Sequence, residues 1–259
     1  LAEKKYTWFD FPKEFGERAV LEILEAYAAT YGETVLYSSA RNEYVIKRMA
    51  RILTRTVLTL QKQLRRGSFQ PDAYELSFHF AEELESVKVS LSPEEKMRLQ
   101  GRIDRIDVAE DAEHVYVKVI DYKSGNKQFD LVALYYGLQL QLVVYMNAAM
   151  ELFAKQNPAK EVVPAGMFYY HIDDPMVEGT GSESEEEIRR KILENLRLDG
   201  VVNTEDDIYR AMDVELSGKS NVLPISVNKD GTVRKSDKAV DKEEFRLIAD
   251  YASYRIAEA

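Results

Sequence analysis

A chain of 259 residues, 45% hydrophobic and 31% charged, is long enough to bury one large core. It has no cysteine, which excludes disulfides and thiolate-bound zinc or iron–sulfur centres within these residues, and no apolar run approaches membrane-spanning length. The net charge of −10 argues against nucleic acid on its sum, but eight basic residues and one acidic residue, Glu43, fall between Arg41 and Arg66.

In chain order, residues 1–12 read as an aromatic lead-in. Val20, Ile23, Leu24, Tyr27, Ala28 and Tyr31 recur at helical spacing over Glu14 to Tyr31, with Gly32 as the stop. A longer helix is expected from Glu43 to Leu64, with a core stripe of Val45, Met49, Ile52, Leu53, Val57, Leu60 and Leu64. Arg48, Arg51, Arg55, Lys62 and Arg66 form a separate stripe. It reads either as a solvated face or as a track for a nucleic-acid backbone.

Strands follow at Ala73 to Phe80 and Val87 to Leu91, then a turn at Pro93-Glu94-Glu95. Glu75, on the first of these, is either a third acidic group or a solvent-facing residue. Leu99 to Val108 reads as a strand with Asp104 in its middle, and Asp107 to Glu113 as an acidic hairpin turn. The next strand alternates strictly: Val115, Val117, Val119, Asp121 and Lys123 share one face. Packing explains the valines but not the two charges that continue their row. Two carboxylates and an ammonium where adjacent strands end suit a magnesium-dependent phosphodiester hydrolase.

Asp130 is placed to start a helix to Phe153, in which Gln141 and Tyr145 share a face. Pro164 to Ile172 is a further strand. Together these fit an α/β class with a mixed sheet. Glu178 to Glu187 reads as a loop in which Ser184 and Glu187 form a capping box for a helix to Leu196. Then come a turn at Asp199-Gly200, a short helix from Thr204 to Met212, and a hairpin over Ile225 to Lys235. A last helix, capped by Asp241, buries Phe245, Ile248, Ala252 and Ile256. The expected division is a nuclease-like core over 1–175 and a small α+β extension over 176–259. The three histidines, His79, His114 and His171, form no short-spaced ligand pair.

Gly101-Arg102-Ile103-Asp104, then Asp121-Tyr122-Lys123-Ser124, then Gln141-x-x-x-Tyr145 resemble the successive motifs of RecB-type nucleases in the PD-(D/E)XK superfamily. The sequence offset of 17 from Asp104 to Asp121 makes the ordered set far more specific than a bare Asp-x-Lys. Phe69 to Glu75, Gly137 to Gln141, Pro164 to Tyr170, Leu198-Asp199-Gly200 and the 228–235 hairpin extend the resemblance to the nuclease domains of the AddB family. It covers roughly residues 35–259.

The resemblance implies a restriction-endonuclease-like core, a central mixed sheet flanked by helices. It implies a cytoplasmic, Mg2+-dependent exonuclease on single-stranded DNA, with Mn2+ or Ca2+ able to substitute in binding. Asp104, Asp121, the Tyr122 carbonyl and Glu75 are the implied metal ligands, and Lys123, Gln141 and Tyr145 complete the catalytic set. It further implies an AddA helicase–nuclease partner and no membrane. The family's metal-binding histidine upstream is absent here, and the family's iron–sulfur cysteines are expected outside this segment. With a first residue other than Met and an end inside a helical pattern, an excised domain is expected. The alternative is a catalytically silent nuclease-like domain that binds DNA or a protein partner.

Overall fold

The computed structural model describes residues 6–31, 37–78, 84, 88–90, 96–179 and 181–258, of which 88–90 and 96–98 are described as backbone. Gly32, His79, Phe80, Val87, Leu91 and the turn expected at Pro93-Glu94-Glu95 lie outside them. The chain divides into two compact units, one of residues 1–65 with 172–196 and one of 66–171 with 197–259. Residues 172–196 thus group with the N-terminal helices, whereas the boundary expected from sequence lies at 175/176.

The second unit is built on a sheet. Its strands are β1 (Gln70–Ser77), β4 (Arg102–Glu110), β5 (His114–Lys123), β6 (Glu161–His171), β7 (Asp199–Asn203) and β8 (Ala239–Val240), paired in that order. β2 (Lys88–Ser90) and β3 (Lys96–Arg98) form a separate antiparallel pair. The six-stranded sheet is mixed: β5 and β6 run parallel, as do β7 and β8, and the other neighbours are antiparallel. β4 and β5 make a hairpin whose turn is fixed by Asp111, which accepts the N–H groups of Glu113 (2.8 Å) and His114 (2.7 Å). The acidic turn is shorter than expected, because β4 continues through Asp107 to Glu110.

A parallel β5–β6 pair needs a crossover, and helices supply it. The sequence pattern predicts a single helix over Asp130 to Phe153; two form, α3 (Leu131–Tyr135) and α4 (Gln141–Gln156). Asp130 caps the first through Val132 N–H at 2.8 Å. Gly137, at φ +76°, ends it in a left-handed conformation that an L side chain resists. The Gly137 and Leu138 N–H groups close on the Leu134 and Ala133 carbonyls at 2.8 and 2.9 Å. Gln139 then ties the joint, accepting the Asp130 N–H and donating to the Gln128 carbonyl. α4 lays Leu142, Val143, Met146 and Ala149 on the sheet in the same core as Val115, Val117 and Val119, all three of which are fully buried. Each such valine contributes about 2 kcal/mol.

Asp199-Gly200 opens β7 instead of forming a turn. Gly200 allows this, since a Cβ there would stand 2.0 Å from the Met167 carbonyl oxygen of β6. α6 (Asp206–Met212) packs on β7. α7 (Lys242–Glu258) begins at a reciprocal pair, Glu244 N–H to Asp241 and Asp241 N–H to Glu244, and buries Phe245 and Ala252. The 225–235 segment holds its turn but only the isolated bridge Val227↔Val233, not a regular ladder.

The first unit contains α1 (Lys13–Thr30), α2 (Ala40–Leu64) and α5 (Glu185–Asn195), the last started by the Ser184–Glu187 capping box. α1 buries Gly16, Val20, Leu24 and Ala28 at steps of four, and leaves Ile23, Tyr27 and Tyr31 exposed, so only half the expected stripe is core. α2 likewise buries its C-terminal half, including Thr56, Leu60, Gln61, Gln63 and Leu64, while Val45 and Met49 are exposed. Gln61 and Gln63 enter the core because each donates to a carbonyl, Phe11 at 2.8 Å and Leu196 at 3.0 Å. Among the described residues no helix is long and apolar enough to cross a membrane.

Candidate active site

The alternation of β5 carries Asp121 and Lys123 along the face lined by the buried valines. Asp121 is 3% exposed. The β4–β5 register sets Arg105 opposite Ile120. Continued by one residue, it sets Asp104 across from Asp121 on the same face. Asp104 Oδ2 accepts the Tyr122 N–H at 2.9 Å, which locks the two strands together at this level.

Burial pushes the Asp121 carboxyl above the usual aspartate range; the Lys123 ammonium opposes that rise and the Asp104 carboxylate adds to it. Asp121 Oδ2 is buried without an aligned hydrogen-bond donor and meets the Lys123 ammonium as an ion pair. Lys123 Nζ also donates to Gln141 Oε1 at 3.1 Å, and Gln141 Nε2 donates to the Tyr145 hydroxyl at 2.8 Å. The Gly137 break makes Gln141 the first residue of α4, with Tyr145 one turn on. Tyr145 in turn packs edge-on to Phe78, with ring centres 5.8 Å apart. Gly101 leaves room for both rings, because a Cβ there would lie 2.5 Å from Phe78 and 3.0 Å from Tyr145.

Asp104, Asp121, Lys123, Gln141 and Tyr145 are therefore one connected constellation. Tyr122 adds its backbone, while its side chain turns to the other face, 3.3 Å from Arg105. Glu75 sits at φ +51°, exposed, with its carboxylate 2.7 Å from Arg102. Of the basic stripe, Arg48 and Lys62 are exposed on α2, and Arg51 and Arg55 both pair with Asp174. Arg66 belongs to the sheet unit and binds the fully buried Asp213 at 2.8 Å.

The donors at the centre are all hard oxygens, and the buried Oδ2 of Asp121 meets the Lys123 ammonium. That chemistry fits a small divalent cation. Among the described residues no group of three or more His, Cys, Asp or Glu converges. A pair of carboxylates such as Asp104 and Asp121 would suit Mg2+, which keeps several of its waters.

Two groups of polar residues escape the sequence pattern. Tyr169 reads as strand core, yet its ring centre lies 5.2 Å from Lys123 Nζ and its hydroxyl has no hydrogen-bond partner among the described residues. Burial beside Asp121 and Asp199 pushes that phenol up to about 12. On the opposite sheet face, Asp107 binds Arg105 (2.5 and 2.8 Å) and Lys118 (2.9 Å), all three buried. Burial opposes the charge on Asp107, but the Lys118 ammonium and the Arg105 guanidinium outweigh it and hold the carboxyl low. The parity of 105, 107 and 118 on paired strands is the signal the sequence offers for this cluster.

A further knot lies beside the site. Asp199 accepts the Phe129 N–H at 2.6 Å and stands 3.4 Å from Lys238 Nζ and 3.9 Å from His171 Nε2. Burial raises its pKa, and the nearby His171 ring with the Phe129 N–H more than reverses that. His171 also meets the Gly125 carbonyl at 2.9 Å through Nδ1.

The model of the PD-(D/E)XK nuclease superfamily matches residues 10–257. A protein of Thermoanaerobacter sp. (strain X514), named as a subunit of an ATP-dependent helicase/deoxyribonuclease, is 39% identical over 96% of the chain. Proteins of the same name from Lachnoclostridium phytofermentans and Clostridium tetani are 40% and 36% identical over 97% and 98% of it. The chain spans about a fifth of these relatives, 21%, 21% and 22% of their lengths. With the family's match running nearly end to end, the chain belongs to the PD-(D/E)XK nuclease superfamily.

Proposed function

We propose that this chain is a Mg2+-dependent deoxyribonuclease domain that hydrolyses phosphodiester bonds of single-stranded DNA. The observation that carries the reading is the pairing of Asp104 with Asp121 beside a lysine held by Gln141. Asp104 and Asp121 hold the cation, with the Tyr122 carbonyl as a further ligand. When bound, the cation polarises the scissile phosphate and acidifies its water. Lys123 places its ammonium against the charge that grows on the phosphate oxygens. Gln141 fixes the reach of that ammonium, and Tyr145 fixes the amide of Gln141. Glu75 would have to leave Arg102 to join the ligands.

The names of the relatives support a role as one subunit of a helicase–nuclease complex; an AddA-type partner is what the family resemblance implies. There the domain would act exonucleolytically in double-strand-break repair and recombination. Arg48, Arg51, Arg55 and Lys62 remain candidates for DNA contact, with Arg51 and Arg55 first releasing Asp174, whereas Arg66 of the same stripe is held by the buried Asp213. The competing reading is a silent DNA-binding domain, favoured by the convergence of two carboxylates alone among the described residues. End-labelled single-stranded DNA with Mg2+ separates them. Cleavage by the wild-type chain and none by Asp121→Asn supports the nuclease. No cleavage, with no calorimetric Mg2+ binding, establishes the silent domain.

A further inference from the structure

A cleft of about 400 Å³ in the sheet unit takes no part in the chemistry above. Arg197, Lys219, Arg234 and Lys235 line it, with Ser226 and Ser236 among them, and no carboxylate of the described residues does. The chain as a whole carries a net charge of −10, so this cleft runs against its sign. Over 218–238 the basic residues are Lys219, Lys229, Arg234, Lys235 and Lys238, against Asp230 and Asp237. A surface of this sign holds a polyanion through its phosphates.

The walls are fixed before any ligand arrives. Ser220 donates to the buried Asp213 at 2.6 Å and accepts the Val222 and Leu223 N–H groups at 3.0 and 2.9 Å. The 228–232 turn is closed by Asn228 and Thr232, with Gly231 at φ +87°. Arg234 donates Nε to Asn228 Oδ1 at 3.0 Å, which orients the guanidinium plane.

Sheet register locates the cleft. Asp121 lies across from Tyr169, and Tyr169 across from Asp199. β7 runs antiparallel to β6, so Arg197, two residues before Asp199, stands at the level of His171 and of Lys123 on β5, at the same end of the sheet.

We propose that this cleft binds the sugar–phosphate backbone of single-stranded DNA, as a second contact for the strand that the carboxylate site cleaves. The assignment rests on the nuclease reading and adds a place where the strand is held. A cleft this small admits one strand and not a duplex. The test uses the whole chain in EDTA, with a fluorescein-labelled thymidylate oligonucleotide followed by anisotropy. Arg234→Glu/Lys235→Glu should raise Kd at least about tenfold, and Arg234→Gln/Lys235→Gln should flatten the log Kd against log salt slope by about 1.4, two cations' worth. Arg234→Lys/Lys235→Arg should keep both. Hydrolysis of bis(p-nitrophenyl) phosphate with Mg2+, which needs no strand, should keep its rate in all three.

Unchanged Kd and slope in the glutamate and glutamine variants overturn the proposal, as does equal competition by duplex DNA. Because binding is read without metal, a chain that binds through this cleft but never cleaves refutes the nuclease reading and leaves the cleft standing. A chain that cleaves while its glutamate variant binds normally does the reverse.

Discussion

At the scale of the residue, the row of β5 decides most. Three valines explain themselves by burial; Asp121 and Lys123, next in the same row, do not, and that mismatch is legible in the sequence. The neighbours that tune them are not, since Tyr169 looks like any strand aromatic. Lys123→Ala should lower Mg2+-dependent cleavage about 1,000-fold, the scale of losing a positioned cationic or hydrogen-bonding group at a developing oxyanion, with the far-UV circular dichroism unchanged. Normal cleavage would remove Lys123 from the mechanism. Asp107 makes a different forecast. Its pKa is held below the unfolded value of about 3.9 by two cations, so its contribution to stability is present above about pH 4 and fades as pH falls through the lower folded value. Asp107→Asn should therefore cost about 3–5 kcal/mol in urea denaturation at neutral pH, with the gap to wild type narrowing below pH 4. A gap independent of pH would show that Asp107 is not ionised in the fold.

At the scale of the element, helices and strands are legible where periodicity is strong, and poorly so where one glycine decides. Gly137 turns an expected continuous helix into two, and no period in Asp130 to Phe153 betrays that. The break is what lets Gln141 begin a helix beside Lys123. Gly200 misleads in the other direction: Asp-Gly looks like a turn, yet the missing Cβ lets β7 lie against β6. Gly200→Ala, whose Cβ would meet a backbone oxygen at 2.0 Å, should destabilise by on the order of 3 kcal/mol by thermal or chemical melting. A loss below about 0.5 kcal/mol, the range of an ordinary surface substitution, would mean that the strands separate freely there. α1 and α2 depart from expectation for a third reason, since periodicity marks an apolar face but not how much of its length is covered.

At the scale of the whole molecule, net charge is a poor guide and its distribution a better one. If Arg197, Lys219, Arg234 and Lys235 each meet a phosphate, log Kd for single-stranded DNA should vary with log salt with a slope of magnitude about 3. A slope near zero would leave base stacking as the only source of affinity. Arg66, grouped by its sequence stripe with a DNA track, instead pairs with the buried Asp213. Arg66→Ala should cost about 3 kcal/mol in folding stability, because it strands a charge that has no water around it. A fully stable variant would show that the Arg66–Asp213 pair carries little of the fold's stability.

Asp199 has a consequence for synthesis on the ribosome. It gathers Phe129, His171 and Lys238 at one carboxylate, and every candidate catalytic group lies upstream of it. A nascent chain halted before residue 199 would already carry Asp104, Asp121 and Lys123, while the segment leaving β5 still lacked its anchor. The residues of the candidate site are thus synthesised early, and the knot at Asp199 is complete only once Lys238 has been added.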